Sequence, residues 1–206
     1  RPVRATLVTD GGCDRVLLSL VRWSLQGLSC PLAALAWADL SVVRTRPRDL
    51  AERLRVSVEL YPCDLLLVHR DAERESIETR QREICEASTG LSVDYLCIVP
   101  VRMIEAWLLF NEMAIRRAAG NPSGREVLAL PTLRDVEAKP DPKRVLHTAL
   151  KEASGLSGRR RAAFNVGRAV HDVAANIRDF SPLRELNAFR EVERQLVEFV
   201  AAWEKA

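Results

Sequence analysis

The sequence has no apolar segment long enough to cross a membrane. Its 206 residues are 48% hydrophobic and 29% charged, the balance of a globular protein. The longest apolar runs fall well short of the ~20 residues that a transmembrane helix needs. No basic segment followed by an apolar stretch and a small-residue cleavage site opens the chain. We therefore expect a cytoplasmic protein without a membrane partner, built as one domain or one domain with an appendage.

The sequence also lacks the spacing patterns of several common sites. Its five cysteines are scattered singly, which argues for reduced thiols and against a disulfide framework or a zinc site. No GxGxxG pattern and no Walker lysine are present, so a nucleotide-binding Rossmann protein is disfavoured. No internal repeat or low-complexity tract is visible.

Charge is distributed unevenly along the chain, although the net charge is only +3. Residues 62–94 carry four arginines against eight carboxylates, a net of −4, and residues 116–161 carry eleven Lys and Arg against five acids, a net of +6. An acidic site beside a basic flank suits a metal-dependent enzyme that acts on a polyanion. Two solvated faces of unlike charge would give the same pattern.

Apolar segments alternate with amphipathic ones in the first part of the chain. The pattern predicts strands near residues 3–9, 34–43, 64–69 and 95–100, each followed by a helix. "CDLLLVH" is apolar without alternation, as expected of a strand covered on both faces. Strands that alternate with helices imply right-handed crossovers, so we predict an α/β fold with a parallel four-stranded sheet flanked by helices.

The pattern changes near residue 120. A segment rich in proline and turn residues is followed by three amphipathic stretches, and we expect an all-helical segment after residue 140. We therefore predict an α/β core over residues 1–118 and a helical C-terminal extension over residues 119–206, packed as a cap on the core.

Acidic residues follow the predicted first and third strands. Asp10 ends the first strand, with Asp14 one turn beyond it, and the segment His69, Arg70, Asp71, Glu73 ends the third. Ligands of an open parallel sheet bind at the carboxyl ends of its strands, where these side chains would meet. Carboxylates suit Mg²⁺, which can activate a water and polarise a phosphoryl oxygen.

A simpler interpretation is that these acids cap helices. Asp10 precedes a turn and a helix, and Asp71 precedes a charged helix, as N-caps do. One cap needs only one acid, however, and "HRDAE" holds two beside a histidine and an arginine. We expect His69 and Asp71 to share one side of the chain and Arg70 to point to the other, where it pairs with an acid of the following helix or the cap. We also expect Asp10 and Asp71 to converge and, because like charges repel, at least one of these two acids to have a raised pKa when no metal is bound.

Two further groups are candidates for supporting roles. Arg102 and Glu105 open the segment after the fourth strand, at the same edge, or form an ordinary i,i+3 surface pair. Trp107 is expected in the core against the cap. The basic flank is expected to bind nucleic-acid phosphates, although a solvated basic turn is an alternative; its candidate residues are Lys139, Lys143, Arg144, Arg159, Arg160 and Arg161.

The motifs "TDGGCD" and "HRDAE" resemble the two signature regions of the Toprim domain, which topoisomerases, primases and overcoming-lysogenisation-defect nucleases share. "VPVRMIEAWLL", "KPDPKRVL" and "FSPLRELNAFREVERQL" resemble small stand-alone Toprim-like proteins, which are often encoded beside an ATPase. The resemblance implies a Toprim or Rossmann-like parallel core and Mg²⁺ or Mn²⁺ as cofactor.

Carried over residue by residue, the resemblance places Asp10 at the family's metal-binding Glu, Gly11 at its glycine and Asp14 at its second acid. Asp71 matches an acid of the DxD-like motif, and Glu73 stands at the other. The sequence departs from the family in the shorter Asp10, in Cys13 at a hydroxyl position and, in another alignment, in His69 at an acid position. Imidazole suits Mn²⁺ better than Mg²⁺.

Two functions follow from these observations. The first is metal-dependent hydrolysis of nucleic-acid phosphodiesters, with Asp10, Asp71 and Glu73 catalytic and Asp10, Asp14, His69, Asp71 and Glu73 holding the metal. DNA is the expected substrate ahead of RNA, and the protein would be the nuclease subunit of an ATPase-associated defence system. The second is a catalytically degenerate Toprim-like subunit that binds a partner ATPase or nucleic acid.

Overall fold

Four parallel strands form a sheet in the order β2-β1-β3-β4. The computed structural model describes residues 1–205, except for the side chain of Cys13. The strands are β1 Val3–Val8, β2 Leu32–Trp37, β3 Leu65–His69 and β4 Asp94–Ile98. The predicted fold class is confirmed: an α/β protein with a parallel four-stranded sheet, flanking helices and a helical C-terminal region.

Helices follow the strands and fill the C-terminal region. Their bounds are α1 Leu17–Gly27, α2 Leu50–Leu60, α3 Ile77–Ala87, α4 Glu112–Ala118, α5 Leu133–Val136, α6 Pro142–Ala153, α7 Gly158–Ala162, α8 Val166–Asn176 and α9 Asn187–Trp203. Short 3-10 turns occupy Gly12–Val16, Leu40–Val42, Ile104–Leu108 and Ser181–Glu185.

The two faces of the sheet are covered by different helices. Leu7, Leu67 and Ile98 face a core that includes α1 and the C-terminal helices. Val68 and Cys97 face a smaller core with Leu54 of α2 and Ile84 of α3. Alternate side chains of a strand point to opposite faces, and both faces are covered here, which explains the uninterrupted apolar run of β3.

The C-terminal helices share the larger core with the sheet. Trp107 is fully buried and meets Phe189 of α9 edge to face, with ring centroids 5.6 Å apart. The predicted packing of Trp107 against the helical region is therefore confirmed. Gln195 of α9 also pairs with the open edge of β4, where its Oε1 accepts the Cys97 N–H at 2.9 Å. The division of the chain at residue 118 stays a prediction.

Several element boundaries differ from the sequence prediction for local reasons. β2 ends at Trp37, and a 3-10 turn capped by Asp39 follows, so the predicted strand to residue 43 is too long. The single helix predicted after β4 is a 3-10 turn and then α4, because Asn111 accepts the Ala114 N–H and starts a new helix. α3 begins only at Ile77, where Ser76 provides the cap.

The four cysteines whose side chains are described are free thiols, as the sequence analysis expected. Cys30 and Cys97 are buried, Cys63 is half-buried and Cys85 is exposed, all as free thiols. Cys13, at the predicted hydroxyl position, lies outside the described side chains. Within residues 1–205, the helices are too short or too polar to cross a membrane.

Candidate functional site

The candidate site lies at the carboxyl edge of the sheet, between β1 and β3. The chain runs from β1 outward to β2 and then returns to place β3 on the other side of β1, so the direction of winding reverses between β1 and β3. Open α/β sheets bind ligands at such a switch point. His69 is the last residue of β3, and the short segments that follow β1, β3 and β4 bring Asp14, Asp71 and Glu105 to the same edge.

His69 is the buried centre of the site. Its side chain is 1% exposed, and its Nε2 lies 3.2 Å from Oδ1 of Asp71. Its Nδ1 lies 3.6 Å from Oδ2 of Asp14 and has no hydrogen-bond partner. An ionised carboxylate can only accept, so Nε2 is assigned as the donor to Asp71, and in the singly protonated ring Nδ1 then presents a lone pair toward Asp14.

Asp71 is held by both β3 and β4. It follows β3 directly, and its Oδ1 accepts the backbone N–H of Ile104 at 3.0 Å. Ile104 begins the 3-10 turn after β4, so this carboxylate ties together the segments that follow two adjacent strands. The following helix, α3, is capped by Ser76. The interpretation of Asp71 as the N-cap of that helix is therefore wrong.

Asp14 is the acid with the perturbed environment. Burial raises the pKa of the Asp14 carboxyl, and the positive charge that His69 carries when protonated opposes this. The negative charges of Asp71 and Glu105 raise the pKa further, and the Gly11 N–H lowers it. The raised pKa is thus found at Asp14, which lies outside the Asp10–Asp71 pair for which it was expected. Asp14 is therefore a partly desolvated carboxylate within electrostatic range of two other acids.

Glu105 completes the acidic group and connects it to the helical region. Its side chain is 4% exposed, and its Oε1 lies 3.4 Å from Nζ of Lys143, at the start of α6. Lys143 therefore joins the sheet edge to the predicted basic flank. Burial lowers the pKa of His147, one turn further along α6, and the charge of Glu105 partly opposes that change. Arg102 and Glu105 do not form the i,i+3 surface pair that was the alternative, because Glu105 is buried.

Asp10 has different partners from the other acids. Its Oδ1 accepts a hydrogen bond from Nη1 of Arg53. Its Oδ2 lies 2.9 Å from Nε of Arg70, and this contact is an ion pair without hydrogen-bond alignment. Arg70 also reaches Glu83 of α3 at 3.8 Å, as predicted for its pairing with the following helix. Both oxygens of Asp10 are therefore engaged by arginines. Its convergence with Asp71 stays a prediction.

Glu73 and Arg102 support the site through the backbone. Both have a left-handed conformation, with φ of 55° and 64°, which is uncommon for residues other than glycine. The Glu73 N–H donates to the Arg102 carbonyl at 3.0 Å, and the Arg102 side chain donates to the Glu73 carbonyl at 3.3 Å. The Glu73 carboxylate lies 3.8 Å from Arg80, on α3. The two turns thus brace each other beside Asp71 and Glu105.

The remaining basic candidates are spread over the helical region. Arg144 pairs with Asp141, 3.9 Å away on the same helix, and Lys139 is half-buried. The side chains of Arg159, Arg160 and Arg161 are exposed on α7. Among the predicted basic residues, Lys143 contacts an acid of the site, Glu105.

Sequence reasoning missed two features of the site. It ranked Asp10 above Asp14, although the Arg53 partner of Asp10 lies 43 positions away, where no local pattern signals it. It also did not pair Lys143 with Glu105. The Asp141–Pro142 pair predicts the start of the helix that carries Lys143. No local pattern predicts that Glu105 is its partner.

The site defines the chain as an α/β protein with an acidic, histidine-centred edge. Among the described side chains, no three His, Cys, Asp or Glu residues are close enough to hold a metal ion together. Comparison with protein-family models, curated proteins and solved structures found no match. The resemblance to the Toprim family therefore rests on the sequence motifs, and the fold agrees with it at the level of the parallel sheet.

Proposed function

We propose that the protein is a metal-dependent hydrolase of nucleic-acid phosphodiesters. The observation that carries the proposal is the buried Nδ1 of His69, which has no hydrogen-bond partner and faces the Asp14 carboxylate at 3.6 Å. A buried polar atom without a partner is costly, so such an atom calls for an explanation. A divalent cation between Nδ1 and Asp14 would satisfy both groups.

The donor set fits such an ion. The distance of 3.6 Å exceeds a hydrogen bond and lies between the separations of about 3.0 Å and about 4.2 Å that adjacent and opposite ligands of an octahedral ion at about 2.1 Å have, so a small shift of the Asp14 side chain would bring both atoms onto one ion. Two protein ligands are enough for a hard cation that keeps several waters. An imidazole ligand favours Mn²⁺ over Mg²⁺.

Asp71 has the position of an orienting carboxylate. Histidine ligands commonly donate their second N–H to a carboxylate, which fixes the ring and the tautomer. The contact of 3.2 Å from Nε2 to Asp71, together with the Ile104 N–H on the same oxygen, has this form. In this proposal Asp14 and His69 hold the ion, Asp71 orients His69, and Glu105 is a further acid within electrostatic range of Asp14.

The reaction needs a phosphate beside the ion. The bound ion would neutralise phosphate charge and help to ionise an attacking water. Lys143, exposed over about half of its side chain and 3.4 Å from Glu105, would bind a phosphate oxygen at the rim of the site. Nucleic acid is the proposed substrate because basic side chains continue along α6 and α7.

The proposal is tested with labelled DNA and RNA and the purified protein in Mn²⁺, Mg²⁺ or EDTA. We expect cleavage with Mn²⁺, and its loss in Asp14→Asn. Asp39→Asn is the matched control, because it makes the same change in a carboxylate at the same sheet edge, and asparagine can still accept the Ser41 N–H. Asp10→Asn tests the alternative ligand set directly.

Absence of cleavage with either metal, together with silent calorimetric titration of Mn²⁺, would refute the hydrolase. The degenerate subunit that binds an ATPase or nucleic acid would then be the better proposal. Cleavage lost in Asp10→Asn but retained in Asp14→Asn would move the metal to the ligand set that the Toprim resemblance implies.

A further inference from the structure

A second basic surface lies on the β2 side of the sheet, away from the predicted basic flank. Residues 38–49 connect β2 to α2 and contain three arginines against two acids, Asp39 and Asp49, whose carboxylates accept backbone N–H groups of the following turn and helix. Arg44, Arg46 and Arg48 are all exposed, and Val42 in the same segment is 68% exposed. An exposed segment with an excess of positive charge is suited to binding a negatively charged partner.

These arginine side chains are not used to stabilise the fold. Within the described part of the chain, none of Arg44, Arg46 and Arg48 takes part in an ion pair, whereas Arg53 and Arg70 nearby are both paired with Asp10. Three exposed guanidinium groups without carboxylate partners repel one another. A bound polyanion would relieve that repulsion, and guanidinium groups match phosphate oxygens in geometry.

Arg46, the middle one of the three arginines, lines a cleft of about 370 Å³ at the carboxyl ends of β1 and β2. Arg46, Arg53 and the backbone of Gly11 and Gly12 line the cleft, together with the acids Asp10 and Asp39. Trp37 forms a wall, and the guanidinium of Arg15 lies 5.0 Å from the centre of its ring. The cleft therefore carries charges of both signs, with Arg46 contributing the arginine segment to its lining, and it is continuous with the turn that carries Asp14.

The position of this cleft relative to the acidic site suggests a path for a ligand. Along the carboxyl edge, the order of features follows the order of strands: the arginine segment after β2, the glycine turn after β1, His69 and Asp71 after β3, and Glu105 with Lys143 after β4. Four strands side by side span about 14 Å. The acidic centre is thus flanked by positive charge on both sides within the length of a few nucleotides.

We propose that Arg44, Arg46 and Arg48 form a phosphate-binding surface that holds the backbone of a nucleic-acid strand lying along the carboxyl edge of the sheet. The inference takes nucleic acid as the ligand from the proposed function. It adds a binding surface distinct from the residue 116–161 flank. Phosphate contacts of this kind position a strand without selecting its sequence.

The test is binding without catalysis. Affinity for a fluorescein-labelled single-stranded DNA oligonucleotide is measured by anisotropy in EDTA over a series of salt concentrations. The variant is the triple change Arg44→Gln, Arg46→Gln and Arg48→Gln. The control is Arg22→Gln, Arg55→Gln and Arg82→Gln, which removes the same charge from exposed arginines midway along α1, α2 and α3.

We expect the triple variant to lose about 10- to 100-fold in affinity at low salt, and the magnitude of its salt slope to fall by about 2, since each phosphate contact on a single strand contributes about 0.7. The control triple should retain the wild-type slope. Equal affinities for wild type and variant, or equal losses in both triples, would overturn the proposal. So would binding of poly-glutamate as tightly as DNA with the same loss in the variant, because an acidic protein would then be the ligand.

Failure of this inference and failure of the proposed function are separable. If the variant binds DNA weakly but wild-type protein cleaves nothing with any metal, the surface stands and the hydrolase fails. If cleavage depends on Asp14 while the arginine triple binds and cleaves like wild type, the hydrolase stands and the surface is wrong.

Discussion

Nε2 of His69 lies 3.2 Å from Oδ1 of Asp71, and this one contact fixes the direction in which the other ring nitrogen points. Because Asp71 is also held by the Ile104 N–H at 3.0 Å, the acceptor of the imidazole is fixed in place, and rotation of the ring would break its contact with Asp71. The lone pair assigned to Nδ1 is therefore held toward Asp14 before any ligand binds. Such preorganisation distinguishes a site from an incidental group of charges.

The first prediction concerns metal affinity. Asp71→Asn retains an oxygen for the Ile104 N–H but removes the charge beside His69, so we expect Mn²⁺ affinity to fall about 10- to 100-fold, with little change in the thermal midpoint. Asp14→Asn removes a proposed ligand and should lower affinity further. Calorimetric titration measures both, with Asp39→Asn as control. Unfolding of Asp71→Asn with unchanged affinity would make this segment a structural turn.

The second prediction concerns the left-handed backbone at Glu73. Glycine adopts this conformation without the steric cost of a side chain, about 1 kcal/mol, so Glu73→Gly should be neutral or raise the free energy of unfolding by up to about 1 kcal/mol. Glu75→Gly, a nearby glutamate without positive φ, should lower it. Urea unfolding measures both variants.

The same variant tests the role of the Glu73 side chain. Its carboxylate lies near Arg80 and is 65% exposed, so we expect Glu73→Gly to retain Mn²⁺ affinity. Loss of affinity in Glu73→Gly, with stability retained, would restore Glu73 to the ligand set that the sequence motif implies.

The third prediction concerns the core shared by the sheet and the C-terminal helices. Phe189 is fully buried against Trp107, so Phe189→Ala should lower the free energy of unfolding by about 3–5 kcal/mol. Phe199 lies on the same helix but is only half-buried, and Phe199→Ala should cost clearly less. Both are measured by urea unfolding. If both variants lost the same free energy of unfolding, burial would not explain how the side chains of α9 contribute to stability.

The fourth prediction concerns a pair at the opposite edge of the sheet. Arg4 of β1 contacts both carboxylate oxygens of Asp64, just before β3, and this holds the pKa of Asp64 below its ordinary value. A carboxyl whose pKa is lowered on folding adds stability above its unfolded pKa, and that stability is lost as the pH falls through the folded value. The partners are partly solvated, so Asp64→Asn should cost only about 1 kcal/mol at pH 7.

The pH dependence separates this pair from a packing effect. The difference between wild type and Asp64→Asn should shrink as the pH falls below about 4, because the unfolded carboxyl titrates there. Thermal midpoints between neutral and acidic pH measure it. A difference that is constant across this range would mean that the ion pair contributes nothing.

The sequence by itself determined the order of elements, the parallel sheet and the edge at which the polar side chains gather. Each follows from local chemistry: an apolar run without alternation marks β3, and the acids and histidine at strand ends can only emerge at the carboxyl edge of a parallel sheet. The proximity of His69 to Asp71 was likewise predictable, because alternate residues of an extended strand share a side.

Only the tertiary structure decided which acid faces His69. Asp10 and Asp14 belong to one short motif, yet Asp10 is engaged by Arg53 and Arg70, from α2 and the end of β3, while Asp14 is turned inward to His69. The pairing of Glu105 with Lys143 was equally hidden, because it joins residues 38 positions apart through the docking of α6. Local patterns specify elements, whereas long-range packing selects which charges meet, since a charge takes the partner that the fold brings within reach.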